Sequence, residues 1–185
     1  MTSTAEEWNN RYSQFDRMWS GNPNDALIHA VTQLGLDGGS AIDVGCGEGA
    51  DALWLASRGW GVTACDPSSV AVDRARAADI AHRVTWFVAG LEDFELGTFD
   101  LVTAMYPVLD PTAESVERLH QLVNPGGVLI FTHHERREDC LTPAMVAELF
   151  PGQVLLDERH HRDVAHGAGS HHHTDHIVVV RRARH

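Results

Sequence analysis

The chain has 185 residues and no lysine, so arginine supplies all fourteen of its permanently cationic side chains. This absence removes three chemistries at once. A P-loop needs a lysine on its phosphates, Schiff-base catalysis needs a lysine amine, and the tyrosine/lysine pair of short-chain dehydrogenases needs both members. Cysteine is scarce too: Cys46, Cys65 and Cys140 are odd in number and too few for a disulfide framework, which fits a reducing compartment. No run has the length of a membrane span or the make-up of a signal segment, so the expected setting is the cytoplasm, with no membrane partner. Positive charge is also short. Twenty-six acids leave a formal net charge of −12, which repels a phosphate backbone, and nucleic acid is not an expected partner. This length buries a sizeable core but leaves little for a second domain.

What is present is concentrated between Ala41 and Asp66. An apolar strand ends in an acid and then breaks into glycine at every second position, Asp43-x-Gly45-x-Gly47-x-Gly49. Glycine is required where backbone takes positive φ or approaches a ligand closely, and a turn that opens a helix leaves amide donors facing outward. Residues 51–58 read as that helix, and Gly61–Asp66 as a second strand ending in an acid. Strand, glycine turn, helix, strand and acid form a mononucleotide-binding half. Gly45, Gly47 and Ala50 also satisfy the dinucleotide pattern G-x-G-x-x-A, so the turn alone leaves NAD open. Asp43 occupies a place where dinucleotide binders usually carry an apolar residue, which favours S-adenosylmethionine.

With these residues the chain resembles the class I S-adenosylmethionine-dependent methyltransferases from about Trp8 onward. Matching segments are Asp43-x-Gly45-x-Gly47-x-Gly49, Cys65-Asp66-Pro67-Ser68, Phe99-Asp100-Leu101-Val102 and Leu122-Val-Asn-Pro-Gly-Gly127. With Trp19-Ser-Gly-Asn-Pro-Asn24 ahead of the first expected helix, the chain looks most like the small bacterial tellurite-resistance type. Met105-Tyr106-Pro107 stands where base-modifying relatives carry an Asn/Asp-Pro-Pro-Tyr-like run.

Alternating strands and helices along the chain predict an α/β, doubly wound, mostly parallel seven-stranded sheet. Strands are expected near 41–45, 61–65, 83–88, 99–104, 127–132, 153–159 and 176–182. Helices are expected near 25–34 with Asn24 as N-cap, and near 50–58, 69–78, 112–122 and 142–149. The last two strands have no helix between them and should form an antiparallel hairpin, the ending of the Rossmann-like methyltransferase fold. Residues 1–24 are polar with interspersed aromatics and read as an arm or lid on a single domain spanning 25–185.

The resemblance implies roles at matching positions. Asp66 holds the ribose hydroxyls, Gly45, Cys46 and Gly47 with neighbouring Glu48 and Gly49 pass beneath the methionine part, and Asp43 orients its amino group. Asp66 also suits an N-cap for the following helix, and Pro67 suits both an adenine face and the first helical turn. The acid that usually receives the adenine amine is replaced by Gly90, which leaves the Leu91 amide, or Glu92 and Asp93 nearby, as candidates, although Glu92 and Asp93 also suit a solvated loop. Met105, Tyr12 and Trp19 complete the expected cofactor site, the two aromatics as parts of the lid together with Trp8.

Histidine is abundant, with thirteen in all. His133 and His134 follow the fifth strand at its carboxyl edge and are the candidate catalytic bases; a solvated strand end is the other reading. The run His171–His173 lies in the last hairpin without structural zinc spacing and reads as a polar loop, so no functional metal is expected. Cys46 and Cys65 read as buried, inert thiols. The expected activity is methyl transfer from S-adenosylmethionine to a small-molecule acceptor by in-line displacement, with S-adenosylhomocysteine as product. With no triad visible, a soft acceptor such as a thiol or chalcogen species is expected. An NAD(P)-binding oxidoreductase and a non-catalytic S-adenosylmethionine-binding module are the alternatives.

Overall fold

The computed structural model describes residues 4–93, 97–134, 139–161 and 174–184. The arm is not extended chain. Its first part is a helix, α1 (Ala5–Ser13), whose start is fixed by a reciprocal cap: the Thr4 side chain accepts from the Glu7 amide, and Glu7 accepts from the Thr4 amide. The order then runs α2 (Asp25–Gln33), β1 (Ser40–Val44), α3 (Ala50–Ser57), β2 (Gly61–Asp66), α4 (Ser69–Ala78), β3 (Val84–Val88), β4 (Phe99–Met105), α5 (Ala113–Leu122), β5 (Val123–His134), α6 (Pro143–Leu149), β6 (Gly152–His161) and β7 (Thr174–Arg182).

The seven strands form one sheet in the order β3-β2-β1-β4-β5-β7-β6. β1 to β5 pair in parallel, whereas β7 runs antiparallel to both β5 and β6. The doubly wound sheet and its antiparallel ending are as expected. β5 is longer than its expected 127–132, because Val123 already pairs with Phe99 across a register shift. The expected polar loop at His171–His173 lies outside the described residues. Among the described residues, no helix is long and apolar enough to cross a membrane.

Each sheet face is closed by its own apolar cluster. On one face Val116, Leu119 and Leu122 of α5 and Val146 of α6 pack against Ile42, Val102, Leu129 and Phe131. On the other, Leu27, Ala30 and Val31 of α2 and Ala52 and Leu55 of α3 meet Ala41, Leu101, Ile130, Ile177 and Val179. Central strands buried on both faces read as near-continuous apolar runs, which is why β4 is buried at every position except Asp100. Strand order reverses between β1 and β4, and the crevice beyond their carboxyl ends is where such sheets take ligands.

Helix starts refine two expectations. Ser68, not Asp66, caps α4, its side chain accepting from the Ala71 amide. Pro67 therefore precedes the cap instead of sitting in the first turn. Asn24 stands at the N-cap of α2, yet its side chain makes no capping bond and turns to Asp51.

Gly49 begins α3 at φ +87°, and a Cβ there would lie 2.6 Å from the Trp86 ring and 2.8 Å from the Ala75 methyl. Gly49→Ala is therefore expected to destabilise the protein by about 1–3 kcal/mol, from left-handed strain and overpacking together. Urea unfolding reads the loss, and an unchanged midpoint would contradict this packing.

Candidate functional site

A cavity of about 1210 Å³ opens beyond the carboxyl ends of β1 and β4. Its floor is the glycine turn, one wall is the end of β2, another is Met105–Leu109, and the N-terminal arm lies across it. Of the residues expected at the cofactor and catalytic positions, all but Asp43 line this cavity, including Gly45, Cys46, Gly47, Glu48, Asp66, Pro67, Leu91, Glu92, His133 and His134.

The turn is held by backbone bonds. The amides of Gly45 and Cys46 both donate to the Cys65 carbonyl, at 2.8 and 3.0 Å, which ties the end of β1 to the end of β2. Asp66 then receives the Gly47 amide on Oδ2 at 2.9 Å and the Ser68 amide on Oδ1 at 2.8 Å. Each carboxylate oxygen retains a second lone pair, so a diol can still be accepted at this position. Gly45, at φ +73°, has no heavy atom within 4 Å of the place a Cβ would occupy, so the turn leaves a cradle that any side chain would fill.

Beneath the turn lie three acids that water barely reaches. Asp43 is 1% exposed, and Asp51 and Asp66 are 6% exposed. Asp43 Oδ1 accepts from the Thr103 hydroxyl at 2.9 Å, whereas Oδ2 is buried with no hydrogen-bond partner. Burial pushes the Asp43 carboxyl up to about 8, with the charges of Asp51 and Asp66 adding to the rise and the Thr103 bond and Ala52 amide opposing it. Burial likewise raises Asp51, against the amide and side-chain donors of Asn24, and raises Asp66, against the Ser68 and Gly47 amides. Such a cluster is incomplete without positive charge above it. An orphaned carboxylate oxygen, a side-chain-free cradle and a diol acceptor together fit S-adenosylmethionine. Burial also lifts the Cys65 thiol to about 12 and Cys46 well above its usual value, so both stay neutral.

The expected adenine end has lost its acid at position 90, but Glu92 folds back toward it. Its Oε2 lies 2.9 Å from where a Gly90 Cβ would stand. Leu91 beside it is buried.

Glu48 has a different engagement from the cofactor contact expected of it. Its carboxylate accepts the amides of Met18 and Trp19 at 3.1 and 3.0 Å and pairs with Arg74 at 2.9 Å. Arg74 in turn donates to the carbonyls of Tyr12 and Phe15. Asn9 accepts from Ser68, Ser69 and the Val70 amide at the start of α4, and Asp51 accepts both the amide and the side chain of Asn24 at 2.7 and 2.6 Å. The arm is thus pinned at its beginning, middle and end. It presses Tyr12 against the glycine turn: the Trp19 indole donates to the Tyr12 hydroxyl at 3.0 Å, and that hydroxyl is 2.9 Å from where a Gly47 Cβ would be.

At the opposite end stand three groups from separate strands. Tyr106, just past β4, takes φ +56°, a conformation that costs a non-glycine residue energy and that surrounding structure must enforce. Its hydroxyl donates to Asp175 Oδ2 at 2.6 Å, and its ring lies 4.7 Å from that of His134. Asp175, fully buried on β7, also meets His134 Nδ1 at 3.0 Å through Oδ1. His133 points elsewhere: its Nδ1 accepts the His134 amide at 2.8 Å, and its Nε2 lies 3.3 Å from the buried Cys140 sulfur. Asp175 and the tilt of Tyr106 were not among the expected site residues. They meet only because β5 pairs with β7, which sets His134 opposite Asp175, and a strand pairing 41 residues apart carries no local pattern.

Residues 41–127 match the family described as the methyltransferase domain. The chain is 31% identical over 163 residues to the ubiquinone biosynthesis O-methyltransferase of Xanthomonas euvesicatoria pv. vesicatoria, covering 79% of this chain and 68% of that protein. Among solved structures, its fold is similar to N-methyltransferase NodS of Bradyrhizobium japonicum in complex with S-adenosyl-L-homocysteine, with TM-score 0.74, 17% identity and coverage of 97% and 99%. TehB of Haemophilus influenzae represents the tellurite-type likeness, with TM-score 0.67, 11% identity and coverage of 96% of this chain and 66% of that one.

The raised Asp43 gives a signed pH dependence. A carboxyl whose folded pKa lies above its unfolded value contributes most below the unfolded value of about 4, and that contribution is lost as pH rises toward the folded one. Asp43→Asn is therefore expected to make the ligand-free protein more stable than the parent at pH 8, by about 1–3 kcal/mol, with the advantage gone near pH 4. Thermal unfolding across that range measures it. A parent that gains stability relative to Asp43→Asn as pH rises would contradict the assignment.

Proposed function

The chain belongs to the S-adenosylmethionine-dependent methyltransferases and transfers methyl groups to small molecules, and we propose that its acceptor is a hydroxyl on a flat small molecule, deprotonated by His134. The observation that carries this is the buried Asp175 carboxylate bonded to His134 Nδ1. A carboxylate there holds the proton on Nδ1, leaves the basic lone pair on Nε2, and stabilises the imidazolium that forms on proton uptake.

The expectation of a soft acceptor rested on the lack of a visible triad, and Asp175 removes that premise. Support for oxygen also comes from the similar Xanthomonas enzyme, which is named an O-methyltransferase. Tyr106, its ring 4.7 Å from that of His134, gives the acceptor end an aromatic wall, which suits a planar acceptor. His133, fixed between the His134 amide and Cys140, is assigned to positioning its neighbour.

When bound, the cofactor supplies a sulfonium methyl that is already activated for displacement. The chain's residues hold and orient. In this reading Asp66 accepts the ribose hydroxyls, the glycine turn lets the methionine part lie against backbone, and Asp43 beneath it offers negative charge to the amino group. Glu92 and Leu91 would meet the adenine, and Pro67 would offer it an apolar face. The arm closes over the cofactor as a lid, with Tyr12 and Trp19 excluding water.

His134→Gln is expected to lower turnover with a phenolic acceptor by about 10²- to 10⁴-fold, the range for a lost general base, and Asp175→Asn should lower it in the same direction while flattening the rise of rate with pH. Affinity for S-adenosylhomocysteine, read by calorimetry, should stay unchanged in both. Methyl transfer to thiols but not phenols, indifferent to either substitution, would overturn the hydroxyl assignment.

A further inference from the structure

A second cluster of donors lies outside the cavity, where α2 crosses the edge of the sheet. Glu158 and His160 are two apart on β6 and so share a face. That face is the one α2 covers through Leu27, Ala30 and Val31 against Ile177 and Val179, and α2 presents His29 to it. The His29 Nε2 lies 2.5 Å from Glu158 Oε1, and the rings of His29 and His160 are 4.7 Å apart with planes 31° from parallel. One donor atom from each of His29, Glu158 and His160 falls within 4.8 Å of the other two, and all three residues are half-buried.

We propose that His29, Glu158 and His160 form a site for a borderline divalent metal ion, zinc above all, that clamps α2 to the sheet edge. Two imidazoles and one carboxylate are the donor set of zinc, nickel and cobalt, whereas magnesium and calcium prefer oxygen alone. A tetrahedral ion with bonds of about 2.1 Å holds its donors roughly 3.4 Å apart. His29 and Glu158 are already closer than that and His160 is within reach, so side-chain rotation suffices. Half-burial leaves a fourth position for water. Imidazole and carboxylate bind metal in their deprotonated forms, so binding weakens as pH falls. A simple hydrogen-bonded pair explains His29 and Glu158 and leaves His160 only its ring contact with His29; the metal uses a donor atom from all three. The site departs from the expectation of no functional metal, and it is distinct from the His171–His173 run. Its effect would be to fasten the exposed edge strand β6 next to β7, which carries Asp175.

The test uses the full chain stripped with a chelator and titrated with Zn²⁺, and with Co²⁺ for its visible spectrum. The parent should bind one tight equivalent, show tetrahedral Co²⁺ absorption and unfold at a higher temperature when loaded. His160→Ala and Glu158→Gln should each weaken that equivalent by at least the roughly 10- to 100-fold cost of losing even an outer-shell partner. Neither should alter S-adenosylhomocysteine affinity, which reports that both variants are folded. A chain with His171, His172 and His173 all changed to Ala should keep the tight equivalent. Retention of full affinity by His160→Ala, or its loss in the triple variant, would overturn the proposal.

Discussion

Three carboxylates buried under one glycine turn are the constraint from which much of this structure follows. Asp43, Asp51 and Asp66 each sit at or below 6% exposure, and like charges in a low-dielectric setting raise one another's pKa. The protein meets them in three ways. Asp66 takes two backbone amides, Asp51 takes both donors of Asn24, and Asp43 has the Thr103 hydroxyl on one oxygen only. The remaining deficit lies beneath the turn that floors the cavity, and in the proposed reading the positive charge of the cofactor offsets the cost of burying the acids.

The same acids organise the arm. Asn24 ends it on Asp51, and Tyr12 covers the turn above Asp66. Glu48, in the turn itself, grips the backbone at Met18 and Trp19 and recruits Arg74 to hold the carbonyls of Tyr12 and Phe15. Arginine suits this task because its planar fork donates in several directions at once. The chain has only two tyrosines, and both line the cavity from opposite ends: Tyr12 over the turn, Tyr106 beside Asp175 and His134. In the proposed reading the cofactor and acceptor ends are thereby built on different supports, the first on backbone and the second on three neighbouring strands.

The βα alternation was legible because parallel strands buried on both faces leave continuous apolar runs, and the glycine turn because its spacing is local. Asp66 and Gly45 were readable on the same ground. Helix α1 was not read, although Thr4-x-x-Glu7 marks its start, because Tyr12 is its only buried residue and no apolar stripe announces it. Ser68 took the cap because α4 starts at Ser69, and the Asp66 carboxylate is divided between the Gly47 and Ser68 amides. Arg74 looks in sequence like one more solvated arginine on a helix. Asp175 stands beside a histidine run that draws the eye, and its partnership with His134 exists only through the β5–β7 register. Local chemistry was visible, then, and long-range pairing was not.

The most direct measurement is the number of protons exchanged when S-adenosylhomocysteine binds, taken by calorimetry at pH 7 in buffers of different ionisation enthalpy. Burial holds Asp43 partly protonated in the ligand-free protein, and the cofactor's amino group favours its charged form, so the parent should release protons on binding in greater number than Asp43→Asn does. Equal exchange in the two proteins would contradict the claim that the buried acids are matched to the charge of the cofactor.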